Sequence, residues 1–282
     1  FYVDLPFITL KIMSPELSVV IVNYHGLNYL KECFDALLLN LKNIDFEIIV
    51  IDNNSKDGSC SYLKAYYPEI ILIESKVNLG FGKANNEAVK RAKGNHLLLI
   101  NNDTVVLDPL LPVLNFLKSD ATIGIVGIKM LDGNRNYLPS AGNFPNFKNL
   151  FQMKKLLEIG SEFITGIFAK DFYEVDWLSG SFLILPTQVF KEIGGFDEDY
   201  FLYVEDVDFS KKTADKGYKR VFLPNFSYIH FVGFNSSKNH LLVKGYETYI
   251  SKHYSGFNQI GLGFVLSINK QVKRIKRFLK IN

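Results

Sequence analysis

The sequence predicts an α/β fold, a mostly parallel sheet flanked by helices and followed by an amphipathic helical extension. Between residues 17 and 129, five short β-branched runs alternate with helical stretches. The runs are almost continuously apolar, as strands are when helices cover both faces of a parallel sheet. Size and composition agree with this. The 282 residues are 48% hydrophobic and include 24 Phe and 15 Tyr, enough for a substantial core and unlike a disordered or low-complexity chain.

In order, the strands are LSVVIVN (17–23), FEIIVID (46–52), IILIES (70–75), HLLLIN (96–101) and IGIVGIK (123–129), with helices expected at 27–41, 59–67, 83–92 and 109–118. From 131 to 174 the periodicity fades into Gly, Asn, Pro and Phe. Turn signals stand at Asp132-Gly133 and Gly142-Asn143, and a mobile excursion is expected there. Regularity returns with a strand in SGSFLILP (179–186), a helix at 187–193, a loop through Gly194-Gly195-Phe196-Asp197 and a helix at 205–216. Two short strands, RVFLP (220–224) and SYIHF (227–231), follow, and there is no internal repeat.

Several classes are excluded. Two cysteines, Cys33 and Cys60, make neither a disulfide framework nor a cysteine zinc site, so a cytoplasmic protein is expected. No apolar run approaches the roughly 18 residues of a membrane span. Residues 1–12 are apolar but interrupted by Asp4, Pro6 and Lys11, and they lack the basic start of a signal peptide; 1–16 reads as a leader or appended segment, with Met13 a candidate start.

The net charge of +3 conceals an asymmetry. No acidic residue follows Glu247, whereas Lys252, Lys270, Lys273, Arg274, Lys276, Arg277 and Lys280 are basic, leaving 25 basic against 29 acidic residues in the rest. An acidic body argues against nucleic acid as a partner, and a basic tail points to an anionic surface. Ile268, Val272, Ile275 and Leu279 recur at helical spacing in that tail. Such a helix either lies on an anionic membrane or docks its apolar stripe on its own domain.

Ligands on open α/β sheets bind beyond the carboxyl ends of the strands. Here those ends read Asn23, then Asp52-Asn53-Asn54-Ser55, then Asn78-Leu79-Gly80-Phe81-Gly82, then Asn101-Asn102-Asp103. Neither G-x-G-x-x-G nor G-x-x-x-x-G-K-[ST] is present after a strand, which argues against a dinucleotide enzyme or a P-loop NTPase. Asp52 is then available for a base or ribose. Asp103 is available for a metal on phosphates, because magnesium and manganese need only one or two carboxylates besides the phosphates themselves. Alternatively, both aspartates cap the helices that follow them. The cluster YVEDVDF (203–209) opens a helix with carboxylates, which suits a general base and equally suits the positive end of a helix dipole.

The order of these segments is itself informative. VVIVNYHG (19–26), IVIDNNSKDGS (49–59), NLGFGKANNEAVKRAKG (78–94), LLLINNDT (97–104), WLSGSFLILP (177–186), GGFDEDYFLYVEDVDFS (194–210) and the later His230 resemble the family 2 glycosyltransferases with a GT-A fold. Within that family they resemble the bacterial rhamnosyltransferase-like group that builds surface polysaccharide. The resemblance implies a nucleotide-sugar-binding half at 17–130, an acceptor-binding and catalytic half of the same domain at 131–240, and a basic helical extension at 241–282. It assigns the nucleotide sugar to Asn23, Asp52, Asn54, Asp57, Asn78, Gly80, Asn85, Asn102 and Asp103, and the acceptor or sugar pocket to Trp177, Ser179 and Gly180. Asp206 falls on the catalytic base, with Glu205 positioning it or the acceptor. Asp103 and His230, the latter followed by Gly233, fall on the ligands of Mn2+ or Mg2+.

Two departures stand out. Asn101 replaces the first Asp of the family's D-x-D motif, and Leu185-Pro186 stands where some relatives carry Arg. The implied function is an inverting transfer of a sugar from a nucleotide diphosphate donor to a hydroxyl of a saccharide or lipid-linked saccharide, at the inner face of the cell membrane. A sugar-phosphate nucleotidyltransferase would need a basic Gly-rich loop after the first strand, and Tyr24-His25-Gly26-Leu27-Asn28 holds no Lys or Arg. A non-catalytic carbohydrate-binding protein is disfavoured by Asp103, Asp206 and His230 occurring together.

Overall fold

The computed structural model describes residues 14–231 and 239–278, with side chains in the second stretch from 240 to 272. Met13, Gly233 and the side chains of Ile275 and Leu279, all singled out above, lie outside the described residues. The first half is β1 (Leu17–Asn23), α1 (Leu27–Asn40), β2 (Phe46–Asp52), α2 (Ser59–Tyr66), β3 (Ile71–Glu74), α3 (Phe81–Val89), β4 (His96–Asn101), β5 (Thr104–Val106), α4 (Leu110–Lys118) and β6 (Ile123–Leu131). The second is β7 (Tyr137–Leu138), β8 (Ala141–Gly142), α5 (Phe147–Phe151), a 3-10 turn (Met153–Leu156), α6 (Ser161–Thr165), β9 (Tyr173–Glu174), β10 (Trp177–Leu178), β11 (Phe182–Pro186), α7 (Thr187–Glu192), α8 (Glu205–Asp215), β12 (Lys219–His230), α9 (Asn239–His253) and α10 (Gly256–Phe278).

The main sheet runs β3-β2-β1-β4-β11-β6-β12-β5. The pairs β3-β2, β2-β1, β1-β4 and β6-β12 are parallel, while β11 is antiparallel to both β4 and β6. Alternate side chains of each strand enter opposite layers, as the two-residue period requires. Val19 and Ile21 join Phe34, Leu37 and Leu114 on one face, whereas Val20 joins Ala84, Ala88, Phe190 and Phe209 on the other. A third cluster lies outside the sheet, where Leu150, Leu156, Trp177, Val207, Tyr246 and Tyr249 meet Leu262 and Leu266 of α10.

The structure corrects four expectations. The segment 131–174 is not an excursion: it carries three short strands, two helices and a 3-10 turn, with α5 closed by a capping box between Asn146 and Asn149. The two late strands are one, β12, because Pro224 falls where the register on β6 shifts between Leu223 and Ser227 and no ladder bond is asked of it. Asp103 is followed by β5, not by a helix to cap. The tail helix docks on its own domain through Leu262 and Leu266, not through the stripe of Ile268 and Val272, and the latter is 45% exposed. Among the described residues no helix is long and apolar enough to cross a membrane.

Asp57 ties the first two helices together. Its carboxylate accepts from the Leu27 N–H (3.0 Å) at the start of α1 and from the Ser59 N–H (3.1 Å) and hydroxyl (2.6 Å) at the start of α2. Burial opposes its charge, but these hydrogen bonds prevail and hold the carboxyl below its ordinary value. Asp57→Ala should lower unfolding free energy by about 1–2 kcal/mol, the worth of a lost helix cap, as measured by urea denaturation.

Candidate active site

The carboxyl ends of β1, β2 and β4 present a lattice of amides. Asn23 pairs in register with Asp52, and its side chain donates to the Asp52 carboxylate (3.2 Å) while accepting from Asn102 (2.7 Å). Asp52 also accepts from the Ser55 N–H (3.0 Å) in a turn. Buried Asn53 donates to the Asn78 side chain (2.9 Å) and the Gly80 carbonyl (3.0 Å) and accepts from the Leu79 N–H (2.7 Å), so it fixes the loop ahead of α3. Gly80 has φ of +82° and ψ of −175°, a conformation open essentially to glycine alone, and a Cβ there would meet the Phe201 carbonyl at 2.4 Å. The Phe81 N–H donates to that same carbonyl (2.9 Å), which pins the 201–204 loop over the sheet.

This edge floors a cavity of about 930 Å3. Asn78, Gly80, Asn102, Asp103, Trp177, Ser179, Asp206 and His230, all expected from the sequence, line it. Asn53, Tyr24 and Lys154 line it too and were not singled out. Asn23 stands one contact behind, through Asn102, and Asp52 one further, through Asn23. Three expected residues face elsewhere. Asn54, at φ of +66°, turns its side chain to Lys56 (2.7 Å); Asp57 caps helices; Asn85 donates to the Phe81 carbonyl (3.1 Å) inside α3. Nothing in the run Asp52-Asn53-Asn54 distinguishes the inward amide from the outward one until the backbone of the turn is known.

The opposite wall begins where β11 starts. The Gly180 N–H donates to Asp206 Oδ2 (3.0 Å), and the Val207 N–H donates to Oδ1 (2.9 Å). Ahead of α8, Tyr203 and Val204 both have positive φ, +70° and +75°, and a β-branched residue adopts that region only under constraint. The constraint comes from α9. Gly245 approaches so closely that a Cβ would lie 2.7 Å from the Tyr203 carbonyl oxygen and from Val204 Cγ2. Behind α8, Asp208 accepts from His253 of α9 (2.7 Å) and from the Tyr200 hydroxyl (3.3 Å). None of these tertiary partners was evident in the sequence.

Electrostatics separate the carboxylates. Burial raises the Asp206 carboxyl above its ordinary value, against the two N–H donors. Burial, and then the charge of Asp206, raises Glu205 well above its own. Glu205 is 4% exposed and its Oε2 has no hydrogen-bond partner among the described residues. On the floor, Asp103 Oδ1 lies 3.2 Å from His230 Nε2, and the Asn101 amide lies 3.3 Å from the same nitrogen. Donating to Asp103 requires a proton on Nε2, whereas accepting from Asn101 requires its lone pair. With the lone pair free, Asp103 and His230 form a two-donor set of oxygen and nitrogen. No third His, Cys, Asp or Glu joins them among the described residues, so any cation held here would share its coordination with a ligand's oxygens.

Comparison with known proteins gives the family and the fold. A family model described as glycosyl transferase family 2 matches residues 18–176, more than half of the chain. The chain belongs to glycosyl transferase family 2. Among family relatives, it is 26% identical over 286 residues to an N-acetylglucosaminyl-diphospho-decaprenol L-rhamnosyltransferase of Mycobacterium tuberculosis, covering 90% of each chain. It is 27% identical over 226 residues to rhamnosyltransferase WbbL of Escherichia coli, covering 76% of this chain and 82% of that one. Its fold matches the mannosyltransferase PcManGT of Pyrobaculum calidifontis, solved with GDP-Man and Mn2+, at a TM-score of 0.61 and 16% identity over 94% of this chain and 76% of that one. GalNAc-T7, solved with UDP, GalNAc and Mn2+, matches at 0.60 and 16% identity over 91% of this chain, which spans 55% of that one. The protein is therefore a family 2 glycosyltransferase with a GT-A fold.

The buried glutamate supplies a test. Because its folded-state value is raised, Glu205 contributes stability when protonated, and that contribution is lost as pH rises through the folded value. Gln cannot ionise. Glu205→Gln should therefore melt higher than the parent at pH 8, and the gap should close as pH falls toward about 4, the ordinary glutamate range. A pH series of melting curves measures it.

Proposed function

We propose that this glycosyltransferase moves a sugar from a nucleotide diphosphate donor to a hydroxyl of a saccharide or lipid-linked saccharide, with inversion, in bacterial surface polysaccharide synthesis. The observation that carries the reading is that Asp206, at the start of α8, and the Asp103–His230 pair on the floor line one cavity. In this reading residues 17–130 take the donor, through Asn53, Asn78, Gly80, Asn102 and Asp103, with Asn23 and Asp52 behind them. Residues 131–240 take the acceptor against Trp177 and Ser179, while Gly180 orients the base. The relatives from M. tuberculosis and E. coli support a rhamnosyl or similar hexosyl donor, and the diphospho-decaprenol in the former's name supports a lipid-linked acceptor. Leu138, Met153, Leu156, Leu157, Leu241 and Leu242 give the cavity an apolar side suited to one.

Asp206 acts as general base. Its two N–H donors favour the carboxylate and burial makes that carboxylate a stronger base, which takes the acceptor's proton as the hydroxyl attacks the anomeric carbon from the face opposite the diphosphate. Glu205, buried beside it, positions the start of α8. Asp103 and His230 would hold Mn2+ or Mg2+, which when bound neutralises charge on the departing diphosphate. Lys154 is the sole Lys or Arg among the described residues lining the cavity. The basic tail is the proposed contact with an anionic membrane at the cytoplasmic face.

Asp206→Asn should lower kcat by at least about a hundredfold while leaving nucleotide affinity nearly unchanged, measured by donor turnover and calorimetry. Retained turnover would remove Asp206 as the base. With two protein donors, metal should bind weakly alone and tighten with nucleotide. By reciprocity, nucleotide affinity measured by calorimetry should rise with manganese, and Asp103→Ala should abolish that rise while affecting metal-free nucleotide binding less.

A further inference from the structure

The long C-terminal helix has two apolar faces. Leu262 and Leu266, with half-buried Val265, pack into the third core, and Asn269 donates to the Phe151 carbonyl (2.7 Å) to fix the helix against α5. A different face carries Phe257, Ile260 and Phe264, which are 94%, 69% and 66% exposed. They recur at i, i+3 and i+7 and so form one row. Phe147 and Phe151 of α5, both about half exposed, stand beside it, and the Phe147 ring covers Gly261 so closely that a Cβ there would lie 2.7 Å away. Single exposed apolar residues are ordinary; a contiguous group of large ones marks a contact surface.

Charge indicates what covers this face. Ile268 and Val272 continue the row at i+4 and i+8 from Phe264, and the sequence then runs through Lys273, Arg274, Lys276, Arg277 and Lys280 with no acid after Glu247. A helix roughly 10 Å across is about as thick as the Debye length at physiological salt, so basic residues anywhere on its circumference feel an anionic surface under its apolar face. An apolar row joined to such a cluster is the pattern of a helix lying in a membrane interface. We propose that the row of Phe257, Ile260 and Phe264 inserts into the interfacial layer of an anionic bilayer, with the basic tail supplying electrostatic attraction. The proposal deepens the reading of the tail as a membrane contact and rests on it, extending the stripe of Ile268 and Val272 back to the exposed aromatic residues at the start of α10.

The test uses the full chain. Co-sedimentation with phosphatidylglycerol–phosphatidylcholine vesicles should show binding that falls at least tenfold in the triple variant Phe257→Ser, Ile260→Ser, Phe264→Ser. Donor hydrolysis in detergent-free buffer should be unchanged, so loss of insertion is distinguishable from loss of the transferase reading. Bimane attached at Phe264→Cys, in a Cys60→Ser background, should shift to the blue when anionic vesicles are added and much less with pure phosphatidylcholine. Equal vesicle binding by the triple variant, with salt alone releasing both proteins, would assign the contact to the tail and overturn the inference. A probe already shielded without vesicles would do so too: light scattering at twice the monomer mass would name a second copy, and unshielding on deletion of residues 1–13 would name that segment.

Discussion

The reversed direction of β11 is the constraint on which the site depends. It sits between β4 and β6, antiparallel to both, so its beginning lies where the parallel strands end. A parallel strand at that position would start at the opposite edge of the sheet, and Ser179-Gly180-Ser181 would be a sheet's depth away from Asn101. Instead the Asn101 N–H donates to the Ser181 carbonyl (3.2 Å), and the next N–H back in the chain, that of Gly180, reaches Asp206. One strand thus joins the amide lattice of the first half to the carboxylates of the second. The core agrees with this placement: Phe182 and Ile184 enter one layer, Leu183 and Leu185 the other, so a slip by one residue would reverse both.

Holding Asp206 needs more than that strand. Two consecutive left-handed residues, Tyr203 and Val204, turn the chain into α8, each at a cost of order 1–3 kcal/mol. Such a turn persists only where its surroundings leave no alternative. Those surroundings are the Phe201 carbonyl bonded ahead of α3, the missing side chain of Gly245, and the buried pair of Asp208 and His253. All three tie the turn to segments far from it in the chain.

This explains what the sequence disclosed. Continuous apolar runs fixed β1, β2 and β4 to the residue, because a strand covered on both faces tolerates little else. The edge strand β5, three residues long, left no such pattern, and Pro224 disguised β12 as two strands. Motif order located the strand ends and the acidic start of α8. It could not tell Asn53 from Asn54, since the choice is made by one left-handed residue, and it could not reveal Gly245 or His253, whose significance lies wholly in what packs against them.

The amide lattice has a consequence for how the protein meets changing conditions. Asn23, Asn53, Asn78 and Asn102 carry no ionisable group, and they brace one another by hydrogen bonds that neither acid nor salt dissolves. The two carboxylates that burial raises above their ordinary values, Glu205 and Asp206, open α8 on the far wall. Shape and titratable charge are thereby assigned to different materials. Across a range of acidity the amide lattice keeps its shape, whereas the charge carried by the start of α8 changes as Glu205 and Asp206 gain or lose protons.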